Sequence, residues 1–288
     1  MSQASTISDV TVVDDPFYVD KVSPRASTYL AYFFLIGLIA AILYIIIRSV
    51  IFRRVELPSD ITEKFSDITF LGVVPFVDDG ADDTLSKNTL KTFASNVLLS
   101  LGDEKLILVT GAIKGVGKSF VAKQLAETLS NVNDKSVLLI DADFYKGKLH
   151  EEFNVKRVKA EDYIPTILNP LKIQNASKLY FAPKPTNASD LSYSLLDSQA
   201  FRSAINQVLN NYDFVIIDSS PVMQTTEASL LSTMCPVTIN VASLRSTPWK
   251  DFCESHMRLT SISNSKQLFA INRFKKIRSY YEIGRAHV

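Results

Sequence analysis

A chain of 288 residues, 47% hydrophobic and 21% charged, has room for one large or two smaller domains and fits a globular protein carrying extra apolar sequence. A formal net charge of +1, without a long basic stripe, argues against a nucleic-acid or acidic partner. Two cysteines and three scattered histidines are too few for a disulfide framework or a zinc site.

Residues 1–28 read as a short tail, with partial alternation from Ile7 to Val13 that fits one strand and no domain of its own. From Tyr29 to Ile47 nineteen residues carry no charge. A run of about 20 apolar residues crosses the hydrocarbon core of a bilayer, so residues 29–52 are predicted as a transmembrane helix. Tyr29, Tyr32 and Tyr44 sit where interfacial aromatic anchors are found. A cleaved signal peptide fits poorly, because the run starts late, is long, and follows a Met1–Pro16 segment with no cationic residue. Arg48, Arg53 and Arg54 outweigh Lys21 and Arg25, which places the C-terminal side in the cytoplasm and residues 1–28 outside it. Residues 53–87 are expected to form a juxtamembrane linker, with one strand over Ile68–Val74 and an acidic break from Asp78 to Asp83. The main domain is expected over residues 88–281.

From Leu106 onward, short β-rich runs alternate with helical patterns. Strands are predicted near Leu106–Thr110, Val137–Ile140, Leu179–Ala182, Phe214–Ile217, Val237–Val241 and Phe269–Asn272. Helices are predicted over Lys118–Asn131, Ser198–Asn210, Thr225–Ser232 and Pro248–Ser261, the first with an apolar stripe at Val121, Leu125 and Leu129. Alternating βα units imply an α/β fold with a mostly parallel sheet covered by helices on both faces, of the P-loop NTPase kind.

The segment Ala112-Ile113-Lys114-Gly115-Val116-Gly117-Lys118-Ser119 lies between the first of these strands and its helix. Such a loop needs backbone N–H groups at a helix N-terminus for phosphates, a lysine for the β/γ oxygens, and a hydroxyl for Mg²⁺. Ala112 through Ser119 supply that set for ATP, with Ala112 standing where the usual pattern has its first glycine. Two further strands end in acids, Asp141 and Asp143 in one case and Asp218 in the other. Ligands of open α/β sheets bind at the carboxyl ends of strands, so these acids should converge on the loop. A lone Asp after a strand is more often a helix cap or turn residue, and the order of the three motifs is what favours a site. Asp218 and Ser119 are candidate Mg²⁺ ligands, while Asp141 and Asp143 share metal contact and general-base work in an order left open.

Together with the apolar helix, these motifs resemble the bacterial tyrosine kinases of the polysaccharide co-polymerase family, over roughly residues 7–281. The resemblance implies an ATP- and Mg²⁺-dependent tyrosine autokinase in the bacterial inner membrane. Its implied partners are other copies of itself and the machinery of capsule or exopolysaccharide export. It makes residues 1–28 the end of an extracytoplasmic chain-length domain, Asn272 a residue near the nucleotide base, and Tyr280 and Tyr281 phosphoacceptors. Partitioning and septum-site ATPases are similar too, but carry a lysine where this chain has Ile113, and Lys114 is out of register. Three features depart from the family pattern. Phe144-Tyr145-Lys146 follows the acids where an arginine is usual. Ser86, Thr89 and Thr92 occupy the places of a Glu and two Arg in the self-association helix through which rings assemble. Glu282 to Val288 reads as a translated sequencing adapter, so genuine sequence is expected to end at Tyr281. A nucleotide-binding assembly subunit without catalysis is the competing expectation. The sequons at Asn175 and Asn187 are chance matches on a cytoplasmic domain.

Overall fold

The computed structural model describes residues 26–51, 53–75, 83–145, 147–174, 176–186 and 189–274. The predicted strand at residues 7–13, most of the acidic break, Lys146, Asn175, Asn187, Tyr280, Tyr281 and the adapter-like residues 282–288 lie outside them. The chain divides into two units, Met1–Ile51 and Phe52–Val288.

The first unit contributes helix α1, Ala26–Ile51, which overlaps the apolar segment predicted at residues 29–52. Its stretch Ala26–Arg48 is long and apolar enough to cross a membrane by length and composition, and no part of it is buried. At about 1.5 Å per residue such a stretch exceeds the roughly 30 Å of a hydrocarbon core.

The second unit contains, in chain order, α2 (Pro58–Lys64), β1 (Ile68–Pro75), α3 (Asp83–Leu101), β2 (Leu106–Gly111), α4 (Lys118–Val132), β3 (Val137–Ala142), α5 (Leu149–Glu152), α6 (Tyr163–Leu168), β4 (Leu171–Lys172), β5 (Leu179–Ala182), α7 (Ser192–Leu196), α8 (Gln199–Val208), β6 (Phe214–Ser219), α9 (Glu227–Ser232), β7 (Val237–Ser243), α10 (Trp249–Ile262) and β8 (Lys266–Phe274). The strands form one sheet in the order β1-β8-β7-β2-β6-β3-β5-β4. All neighbours are parallel except the short β4, which runs antiparallel to β5.

The central strands are buried at every position because both faces are covered, and side-chain alternation divides them between two cores. Ile107, Val109, Val137, Leu139 and Ile216 join Val121, Leu125 and Leu129 of α4 and Phe93 and Val97 of α3 on one face. Leu106, Leu108, Leu138, Ile140, Val215 and Ile217 pack with Tyr163, Phe201 and Ile205 on the other.

One expectation is corrected. Residues 53–75, part of the expected 53–87 linker, are not outside the domain, because Val55 and Ile61 are wholly buried with Phe252, Phe269 and Ile271, and β1 extends the sheet by pairing with β8. The extended residues 53–55 are tied to the segment after β7, Val55 N donating to the Thr247 carbonyl at 2.9 Å and Trp249 N to the Arg53 carbonyl at 2.8 Å. The Arg53 guanidinium lies 4.9 Å from the centre of the Trp249 ring. Ser86, Thr89 and Thr92 fall in α3, where the Thr89 and Thr92 hydroxyls donate back to the carbonyls of Leu85 and Asn88.

Candidate functional site

The sheet order places the candidate loop where the chain changes direction. From β2 it crosses to β3 on one side of β6 and later returns to β7 and β8 on the other. That reversal opens the carboxyl edge of β2, where α/β sheets hold ligands.

The loop residues are shaped by close packing. A side chain at Gly111 would stand 2.8 Å from both the Val116 side chain and the Val241 carbonyl. Ala112 is buried with an ordinary negative φ and accepts from Met223 N at 3.1 Å, so its methyl group fits where glycine's freedom is not needed. Gly115 and Gly117 do need it, with φ of 81° and 91°. Ile113 packs against the first core and Lys114 is exposed. Gly117 caps α4, and its carbonyl accepts from Val121 N at 2.9 Å. Asn272, on β8, donates its side-chain amide to the Val116 carbonyl at 2.9 Å, which makes it a brace for the loop.

Lys118 begins α4, is 6% exposed, and holds its Nζ 3.6 Å from Asp143 Oδ2. Asp141 and Asp218 are register partners on adjacent strands and are both fully buried. One oxygen of Asp141 accepts from Asp143 N at 3.2 Å, and its other oxygen has no hydrogen-bond partner. Neither oxygen of Asp218 has a hydrogen bond of ordinary geometry, although the nearby Ser119 hydroxyl offsets part of the burial. Burial, then the neighbouring Asp218, raises the Asp141 carboxyl well above the usual carboxylate range. Burial raises Asp218 to about 7 against the attraction of Lys118. The structure therefore brings Lys118, Ser119, Asp141, Asp143 and Asp218 to one edge. Among the described residues no group of three or more His, Cys, Asp and Glu forms a self-sufficient metal cluster.

Asp218 sets a pH dependence. Between pH 3.8 and about 7 the folded chain binds a proton at Asp218 that the unfolded chain releases, so this group's contribution to stability falls as pH rises. Thermal melts of unliganded protein at about pH 5 and about pH 8 should show a decline that Asp218→Asn reduces. An equal decline in both proteins would refute this account of Asp218.

Two further groups belong to no sequence motif. Lys184, beyond the end of β5, is 3% exposed and donates to the Asp143 carbonyl at 3.1 Å. Its one sequence signal is a lone charge between two prolines. Glu227, at the start of α9, accepts from the Tyr145 hydroxyl at 3.0 Å and from the Ser192 hydroxyl, linking the segment after β3 to α7. Nothing in one segment's sequence announces a contact made by three segments far apart in the chain.

The AAA domain family matches residues 104–247. The chain is 30% identical over 199 residues to the tyrosine-protein kinase ptk of Acinetobacter johnsonii, an alignment covering 67% of this chain and 26% of that protein. It is 25% identical over 276 residues to the tyrosine-protein kinase wzc of Salmonella typhimurium, covering 84% of this chain and 37% of that one. The chain thus spans well under two thirds of the length of these relatives. Among solved structures it is similar to the kinase domain of the Escherichia coli tyrosine kinase ETK, with a TM-score of 0.66 at 19% identity over 77% of this chain and 96% of that one. The BceF tyrosine kinase domain gives a TM-score of 0.64 at 22% identity over 76% and 99%. At these identities the structures establish a shared fold.

Proposed function

Because this chain belongs to the AAA domain family, we propose that it is the ATP-binding, kinase-bearing part of a membrane-anchored bacterial tyrosine autokinase. Its curated relatives are named tyrosine-protein kinases. The observation that carries the reading is the Asp141–Asp218 pair, two buried carboxylates with unpartnered oxygens beside a glycine loop and a buried lysine. Unpaired buried carboxylates are costly, and an edge that holds them is built to receive a cation and its anionic partner.

In this reading the amides of residues 112–119 and the Lys118 ammonium hold the ATP phosphates. Ser119 and Asp218, with Asp141 beside them, would hold Mg²⁺, which commonly takes one or two carboxylates and completes its shell with phosphate and water. The metal would supply charge neutralisation at the transferring phosphoryl group. Asp143 is better placed than Asp141 for general-base work, since it faces Lys118 while Asp141 is committed to the interior beside the metal position. The acceptor hydroxyls are those of Tyr280 and Tyr281, presented by another copy of the chain. Each phosphate would add about −1.5 to −2 charges beside Lys275, Lys276 and Arg278. The anchored protein would act in the inner membrane with the machinery of polysaccharide polymerisation and export.

Full-length protein in lipid vesicles, incubated with Mg-ATP, should acquire phosphotyrosine that mass spectrometry maps to the C-terminal tyrosines. A second reading, a nucleotide-binding assembly subunit, is favoured by Ser86, Thr89 and Thr92 on α3 and by Phe144 and Tyr145 after the acids. Tight ATP binding without any phosphate transfer would select it and eliminate the kinase.

A further inference from the structure

We propose that Lys184 is a second lysine of the nucleotide site: a positioning residue that fixes the Asp143 segment and places positive charge where a terminal phosphate enters. This rests on the nucleotide reading above. β5 runs parallel to β3 with Ala182 beside Ile140, so both strands release their following residues at the same edge. Two positions later the Lys184 ammonium reaches the Asp143 carbonyl. Pro183 and Pro185 restrict the backbone on either side, and Pro185 is held by a bridge to Val158.

The charges explain why an ammonium is buried there. Asp141, Asp143 and Asp218 bring three carboxylates into a closed edge, and Lys118 alone leaves them in excess before any phosphate arrives. Lys184 is burdened by its burial and repaid mainly by Asp141 and Asp143. Residue 143 is consequently gripped from two sides, by Lys118 at its carboxylate and by Lys184 at its carbonyl. An ammonium has three donors, and among the described residues Lys184 uses one in a hydrogen bond. The inner phosphates of a nucleotide rest on loop amides, so loss of Lys184 should be felt most by the outermost one.

Lys184→Gln keeps a donor for the Asp143 carbonyl and removes the charge, whereas Lys184→Met removes both. Affinities of the full chain in detergent would be measured for ADP and for a non-hydrolysable ATP analogue, each with Mg²⁺. Both variants should lose triphosphate affinity by about 10- to 100-fold while diphosphate affinity stays within about threefold. Equal weakening of both nucleotides, or Gln binding like Lys, would overturn the proposal. If these variants fail to fold, Lys184→Cys alkylated with 2-bromoethylamine restores an ammonium of matching length. Recovery of triphosphate affinity on alkylation supports the role, and complete alkylation without recovery rejects it. A parent chain that binds neither nucleotide would defeat the nucleotide reading itself, and Lys184's role with it.

Discussion

Lys118→Met is expected to abolish tail phosphotyrosine and to weaken ATP binding by at least about 100-fold, near the upper end of what one charged hydrogen-bonding group contributes. The methionine stem preserves the apolar packing at the start of α4, where Lys118 is buried, and removes only the ammonium. The loss acts twice. It removes the point charge for the outer phosphates, and it leaves Asp143 without the cation 3.6 Å from its carboxylate. Lys118→Arg should not rescue, since a planar fork cannot take the place of a compact ammonium in a closed loop. Titration with a fluorescent nucleotide, alongside circular dichroism to confirm folding, separates binding from stability. Unchanged phosphotyrosine in the folded Met variant would refute the kinase assignment.

Strands in the middle of the sheet were legible because burial on both faces forces apolar runs. Leu179–Ala182 is observed as predicted, and the other predicted strands extend by one to five residues in total, β3 and β6 doing so into the site acids Asp141 and Asp218. Asp141 lies inside β3 and Asp218 inside β6, since ladder pairing continues past the apolar run that signals a strand. The place of β1 was not legible, because its partner β8 is the last strand and nothing local tells an edge strand from a linker. Asn272 could be singled out by position, but its hold on Val116 depends on β8 and the loop meeting across the sheet edge. Lys184 illustrates the same limit in charge: a lysine is normally read as solvated, and only the convergence of β3 and β5 buries it. The alanine at 112 stands where the usual loop pattern has a glycine, and its ordinary φ shows why it is tolerated.

Gly117→Ala should cost more than its one methyl group suggests, eliminating ATP binding and lowering stability by about 1–3 kcal/mol. Two independent effects combine. The backbone sits at φ 91°, where a side chain is strained whatever space surrounds it. The added Cβ would also collide with Asn272 Nδ2, so the amide must swing away and surrender its bond to the Val116 carbonyl. Asn272→Ala separates the two. Alone, it should weaken nucleotide binding moderately by unbracing the loop. Combined with Gly117→Ala it relieves the clash but not the φ strain, so the pair should be less destabilised than the sum of the single changes, while nucleotide binding remains lost. Additive destabilisation in thermal melts would mean that Asn272 and Gly117 are not in contact, and near-normal nucleotide affinity in Gly117→Ala would mean that the left-handed turn is not what shapes the phosphate loop.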